Sequence, residues 1–321
     1  MLSRFYRSMF PSVHDWPGGP MPARPYGYVV KVSARQQIGL GLLTLLIVPL
    51  ALAPLEIQRR IVNYAVAHSA VELLLAYGGL YLAVLLLQAG LKFLRDMYMY
   101  RIAEGVTRQL RRKFVEGGPR DAGIAEGTRQ AIISSESEKV GGFVAESISL
   151  PLLQAGTVLS IAVYMLAIEP LIAMVAIVFL VPSVVIVGFA QPVLNGLSRS
   201  KITVVRALGE AVLRGGRGEA EKNTQPGDLV ARIYDLRLRF AGIKIATKSL
   251  NQLITSLGLL SILLVGGWLA IEGRTEIGII VAFMTGYERM TNPVRDLLNF
   301  YRRLSTMRVQ YGLVAEAFGR T

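Results

Sequence analysis

The sequence predicts an all-α membrane protein with six transmembrane helices and two long cytoplasmic helical hairpins. First, 52% of the 321 residues are apolar and only 18% are charged, whereas soluble domains contain about 25% charged residues. Second, five stretches that approach or exceed the ~20 residues needed to cross a hydrocarbon core carry no charge. Third, the two longest connections between these stretches keep the apolar periodicity of helices.

Five transmembrane spans follow from the uncharged stretches, and a sixth begins at Ile277. The sixth stretch is interrupted by Glu288 and Arg289, so its apolar character is weaker. Only Glu169 separates the third stretch from the fourth, which requires a tight reversal of the chain. The uncharged stretches are 38–55, 73–91, 147–168, 170–198 and 249–271.

Two long connections, 92–146 and 199–248, are predicted to be helical hairpins rather than loops. In the first, apolar residues recur mostly at three- to four-residue steps from Met97 to Phe114, and the second shows the same pattern. Each connection is therefore a pair of helices that continues a span into water and returns. About 25 residues per arm at a rise of 1.5 Å per residue give a projection of roughly 35 Å.

The distribution of positive charge predicts that both termini and both hairpins are cytoplasmic. The hairpins carry 10 and 11 Lys and Arg residues, whereas the short connections carry only Arg59, Arg60 and Arg274. Positive charge accumulates on the cytoplasmic side of membrane proteins. We therefore expect a multi-pass protein of the inner (plasma) membrane, and the net charge of +13 requires no nucleic acid partner.

The chain divides into three parts at the sequence level. Residues 1–36 form a cytoplasmic or interfacial N-terminal segment, 37–318 form the membrane domain, and 319–321 form a C-terminal tail. Aromatic and arginine side chains interleave between residues 4 and 10. This pattern favours a short helix that lies in the membrane interface over a disordered tail.

The residue types present exclude several kinds of chemistry. The chain contains no Cys, which excludes disulfides, thiolate zinc sites, iron–sulfur ligation and cysteine nucleophiles. Its two His residues, His14 and His68, are too few for a histidine-rich metal site. We expect no catalytic, cofactor or metal site within this chain.

Three short patches, together with the six-span plan, carry a resemblance to a known family. The patches are LEIQRRIVN at 55–63, VTRQLRRKF at 106–114, and IIVAF at 279–283 followed by NPV at 292–294. In order, they resemble the end of the first helix, the arginine-rich extension of the second helix and the proline-containing sixth helix of the ABC exporter transmembrane domain. The resemblance covers about 37–318 and implies an ABC exporter-like fold.

The resemblance implies one membrane half of a transporter, which pairs with itself or with a sister membrane subunit. None of the eight lysines follows a glycine, so the chain lacks a P-loop and is not expected to be an enzyme. ATP and Mg²⁺ would then bind a separate nucleotide-binding subunit. The breaker-rich hairpin tips would contact that subunit, or else form solvated turns. The resemblance assigns ATPase coupling to Arg120, Asp121, Gly123, Ile124, Arg217, Glu219 and Glu221.

A polar stripe in the sixth stretch predicts the wall of a translocation cavity. Its five residues are separated by steps of 3, 4, 4 and 3, so they share one helix face. Charged side chains within a membrane face protein or water rather than lipid. The alternatives are a structural network in which Glu288 pairs with Arg289 or Arg295, and a span that leaves the membrane at Tyr287. The stripe consists of Thr285, Glu288, Asn292, Asp296 and Asn299.

Four polar residues in other spans are candidates for the same cavity. For each of them taken singly, ordinary interhelical packing, which also uses polar side chains, is the favoured interpretation. These residues are Gln154, Thr157, Gln252 and Thr255. A separate cluster of Glu56, Arg59 and Arg60 at the outer end of the first span predicts an external gate or an interfacial anchor.

Two further functions are compatible with the sequence. The first is a proton-coupled transporter on the same fold, with Glu288 as the proton carrier. The hairpins favour it because they depart from the ABC exporter pattern: Gly127 is followed by Thr128 and Arg129, and the second hairpin lacks a Lys–aromatic pair. The second is a non-transporting membrane scaffold whose basic hairpins dock a cytoplasmic partner or anionic lipid.

Overall fold

The computed structural model describes residues 13, 21–22, 24–66, 70–117, 135–215 and 226–317, and this part of the chain is almost entirely helical, with no β-strand. Two short helical pieces directly continue the first helix: an α-helix at Ala53–Arg60 and a π-helical turn at Ile61–Val66. The result is six helical segments in chain order. The α-helices are α1 Pro25–Leu50, α2 Ala53–Arg60, α3 Val71–Gly117, α4 Ser137–Ile168, α5 Pro170–Gly215, α6 Pro226–Ile271 and α7 Ile277–Ala317.

Five of the six segments are long and apolar enough to cross a membrane. This confirms the all-α class and its compatibility with a multi-pass membrane protein. The sixth segment, α7, is not among the five, because charged residues interrupt its first half. The five candidate spans lie within Pro25–Tyr64, Val71–Glu116, Ser137–Ile168, Pro170–Gly209 and Gly227–Ile271.

The long connections are helical wherever the structure describes them. α3 continues without interruption from the uncharged stretch 73–91 to Gly117, and α5 continues from 170–198 to Gly215. The two tips, at 118–134 and 216–225, lie outside the described residues, so the hairpins themselves remain predictions. The first helix begins at Pro25, upstream of the predicted boundary at residue 37. The proposed interfacial helix between residues 4 and 10 also lies outside the described part.

The chain forms two compact units. The first comprises Met1–Pro170 and Leu269–Thr321 and contains α1 to α4 and α7; the second comprises Leu171–Trp268. The core of the first unit joins the start of α1, the extension of α3, the start of α4 and the end of α7. Its fully buried members include Tyr28, Ile102, Leu110, Val144 and Val314.

In the second unit, α5 and α6 expose many apolar side chains along their length. Phe189 is 77% exposed and Leu264 is 63% exposed. In water such a surface would be costly, at about 25 cal/mol per Å² of apolar area. The exposure therefore fits helices whose outer surface meets lipid.

A glycine allows α4 to approach α3 closely. A Cβ atom at Gly141 would lie 2.5 Å from the carbonyl oxygen of Ala103 and would also overlap the Thr107 hydroxyl. That hydroxyl donates to the same Ala103 carbonyl at 2.8 Å, so it is held in place. The neighbouring Gly142 has open space at the same position. The two glycines therefore form a matched pair at one helix crossing.

We expect Gly141→Ala to destabilise the first unit by about 1–3 kcal/mol, because the backbone atoms that it meets cannot move without separating the helices. Gly142→Ala should be neutral or stabilise by up to ~1 kcal/mol, because alanine favours a helix over glycine. Thermal unfolding of both variants in the same detergent measures the difference. Equal melting temperatures would show that α3 and α4 do not cross closely here.

Candidate functional site

The first half of α7 has one buried face and one exposed polar face. Phe283 is 0% exposed, and Tyr287 and Met290 are each 1% exposed. Glu288 and Asn292, by contrast, are exposed. These two stripe residues thus point away from the packed core of the first unit. Thr285 and Asp296 are half-buried at the edges of this polar face, and Asn299 is exposed.

A hydrogen bond joins two residues that were predicted to share the cavity. Nε2 of Gln154 on α4 donates to Oδ2 of Asp296 on α7 at 3.0 Å. Thr157, which follows Gln154 by three residues, lies on the same side of α4 and is half-buried. The structure therefore joins α4 to the stripe through this bond, a contact that fits a shared cavity wall and interhelical packing alike.

For Gln252 and Thr255, the structure gives only their local surroundings. Gln252 is exposed, and the Thr255 hydroxyl donates to the carbonyl of Asn251 within the same helix at 2.9 Å. Both belong to the second unit, so their place beside the stripe stays a prediction. The proposed coupling residues between 120 and 124 and between 217 and 221 lie outside the described residues.

Glu56, near the end of the first span that the sequence predicts to be the outer end, binds three side chains. The Glu56 carboxylate accepts from Arg59 Nη2 at 2.9 Å and from Arg60 Nε at 2.8 Å. It also accepts from the hydroxyl of Tyr164 on α4 at 3.0 Å. Glu56 thereby connects α2 to α4, and the cluster is more than a local anchor.

A second set of contacts attaches the start of α7 to the π-helical turn. Oδ1 of Asn63 accepts from the backbone N–H of Gly278 at 2.8 Å, and Nδ2 of Asn63 donates to the Glu276 carboxylate. A Cβ atom at Gly278 would overlap the carbonyl oxygen of Arg59 and the Asn63 side chain. Nearby, Gln58 Nε2 donates to the Tyr81 hydroxyl of α3 at 3.1 Å. Together these contacts connect α2, α3, α4 and α7 at the predicted outer end.

This outer-end network, formed by Glu56, Asn63, Tyr164, Glu276 and Gly278, was only partly visible in the sequence. The spacing of Glu56 from the two arginines indicated only the contacts within α2. The sequence signal for the contacts with α7 was Gly278, the second residue of that helix, and the sequence interpretation did not use it. Charged and amide groups thus hold α2, α4 and α7 together at one end.

The contacts described at this site are hydrogen bonds and ion pairs between side chains. Within the described ranges, no group of three or more His, Asp or Glu side chains is arranged to hold a metal ion. The binding of ATP and Mg²⁺ by a partner subunit stays a prediction from the resemblance.

No protein-family model matches the chain, and no curated protein sequence matches it. The fold and the site therefore define its class directly, as a helical protein compatible with several membrane crossings. The finer assignment rests on the resemblance and on the geometry described above.

Proposed function

We propose that the chain is the membrane-spanning subunit of an ABC-type transporter. It would form half of a translocation pathway and couple to a separate ATP-binding subunit. In this proposal α7 is the sixth span, the termini and both hairpins are cytoplasmic, and the protein resides in the inner (plasma) membrane. A second copy, or a sister membrane subunit, supplies the other half of the pathway.

One observation carries this proposal: the exposed polar stripe on α7. Glu288 and Asn292 are exposed on a helix whose opposite face is packed into the first unit. A carboxylate at membrane depth faces water or protein, because exposure to lipid costs several kcal/mol. A water-filled pathway meets that requirement. It also explains why α7 is less apolar than the other spans.

The outer-end network supports the same proposal. Alternating access requires a pathway that is closed on one side while it is open on the other. Glu56 with Tyr164, and Asn63 with Gly278, join α2, α4, α7 and the π-helical turn at the predicted external side. The arrangement fits a state in which the outer end is closed and the stripe is reached from the cytoplasm.

Purification of the full chain from its native membrane tests the proposal. We expect a P-loop subunit to co-purify at fixed stoichiometry, with ATPase activity that requires this chain. Arg120→Ala combined with Asp121→Ala should lower that activity, while Glu272→Ala, at a predicted external turn, should not. A clean dimer without ATPase, under conditions where a known ABC complex survives, would contradict the proposal.

A proton-coupled transporter is the second candidate, and the exposure of Glu288 favours it. A carboxylate that exchanges protons must reach water, and Glu288 is placed on the exposed face. Transport that persists without ATP, collapses with the pH gradient and is lost in Glu288→Gln would select this function. Function that survives alanine at both Glu288 and Asn292 would instead select a scaffold.

A further inference from the structure

A pocket lies between the start of α4 and the second half of α7, directly beyond Asn299 at the end of the polar stripe. Its volume is about 370 Å³, and all of its lining residues belong to the first unit. The pocket combines charged and aromatic walls. It is lined by Lys139, Gly142, Phe143, Glu146, Phe300, Arg303 and Met307.

The charged wall offers hydrogen-bond donors that the protein leaves available. Arg303 Nη1 binds Glu146 Oε2 at 2.8 Å, and the Arg303 side chain is 55% exposed. Lys139 Nζ binds Glu136 at 3.1 Å and is 47% exposed. A guanidinium has five N–H donors and an ammonium has three, so both cations keep donors for a further anion. Glu146 accepts from Arg303 through Oε2 and its side chain is 30% exposed, so it offsets part of the positive charge of this wall.

The apolar wall lies beside these cations. Phe143 and Phe300 are each 8% exposed, and Met307 is 4% exposed. The ring of Tyr26 on α1 packs edge-on against Phe143 at a centroid distance of 5.7 Å. A ligand that fills the pocket would therefore meet cations on one side and apolar carbon on the other.

The position of the pocket along α4 sets its depth in a membrane. Glu146 is the last charged residue before the uncharged stretch 147–168. In the predicted orientation, this is the level at which hydrocarbon gives way to headgroups in the cytoplasmic leaflet. Basic pockets between helices at this level suit the phosphates of lipid headgroups.

We propose that this pocket binds an anionic phospholipid of the cytoplasmic leaflet. Arg303 and Lys139 would donate to the headgroup phosphate, and an acyl chain would lie along Phe143, Phe300 and Met307. This lipid site shares no residue with the polar stripe, although Phe300 directly follows Asn299. It depends on the membrane orientation but not on ATP coupling, so its test is independent of the proposed transport function.

Binding to the detergent-solubilised full chain tests the site, with dioctanoyl phosphatidylglycerol as the probe. Dioctanoyl phosphatidylcholine and glycerol phosphate are the comparison ligands. Lys139→Ala combined with Arg303→Ala should weaken phosphatidylglycerol binding by about 30-fold, since each cation near an anionic lipid contributes roughly one kcal/mol. The matched control is Lys244→Ala combined with Lys248→Ala. It removes the same charge from exposed positions next to the uncharged stretch 249–271.

A variant that fills the pocket tests the site without removing either cation. Gly142 lines the pocket and has open space for a side chain, so Gly142→Leu should block the lipid while it keeps both cations. Three results would overturn the proposal: equal binding of the two lipids, equal loss in the control variant, or unchanged binding in Gly142→Leu. Tight binding of glycerol phosphate alone would also overturn it, in favour of a soluble anion.

Discussion

Cysteines introduced at Glu288 and Asn292 should react much faster with a water-soluble maleimide than a cysteine introduced at Leu264. The native chain contains no Cys, so each variant carries a single reactive thiol. The thiolate is the reacting form, and each unit by which an apolar environment raises the thiol pKa slows the reaction about tenfold. A stripe that faces a water-filled pathway thus predicts a difference of at least about tenfold.

The cysteine at Leu264 distinguishes a side chain that is exposed to water from one that is exposed to lipid. Leu264 is 63% exposed in the isolated chain but lies within the uncharged stretch 249–271, so a thiol there should meet lipid. A cysteine at Phe283, on the buried face of α7, gives the protein-facing reference. Labelling is measured in intact membranes and quantified by mass shift. If the stripe thiols react as slowly as the thiol at 264, the stripe does not line water and the transport proposal fails.

The exposed stripe was predictable because it depends only on the geometry of one helix. Steps of 3, 4, 4 and 3 residues place polar groups on one face of any α-helix, whatever surrounds it. The hydrogen bond from Gln154 to Asp296 was much less predictable, because 142 residues separate the two side chains. Their contact depends on how far α4 is shifted along α7. A single sequence does not contain that register.

The outer-end network likewise has one part that the sequence predicts and one part that depends on packing between helices. Glu56 precedes Arg59 and Arg60 by three and four residues, a spacing at which helical side chains meet. Tyr164, 108 residues further on, joins them only through the packing of separate helices. The lipid pocket was hidden for a related reason. Lys139 and Arg303 belong to basic segments that the sequence explains by orientation alone.

Gly278→Val should loosen the outer end of the protein and admit reagents from outside. The valine Cβ would overlap the carbonyl oxygen of Arg59, a backbone atom that moves only if α7 separates from the π-helical turn. That separation would break the bond from the Gly278 N–H to Asn63, now 2.8 Å long. Overpacking of this kind costs about 1–3 kcal/mol. We therefore expect a lower melting temperature and faster labelling of a thiol at Asn292 by an externally added, impermeant maleimide.

Gly267→Val is the matched control for this substitution. Gly267 lies in an apolar helix with open space where a Cβ would be placed, so valine there disturbs no neighbour among the described residues. If Gly278→Val lowers the melting temperature but leaves external labelling unchanged, the network is a structural anchor and the seal lies elsewhere. If both quantities change and the control does not, the contacts around Gly278 hold the pathway closed. In that case the small size of one residue, rather than any charge, allows the last span to seat against the first.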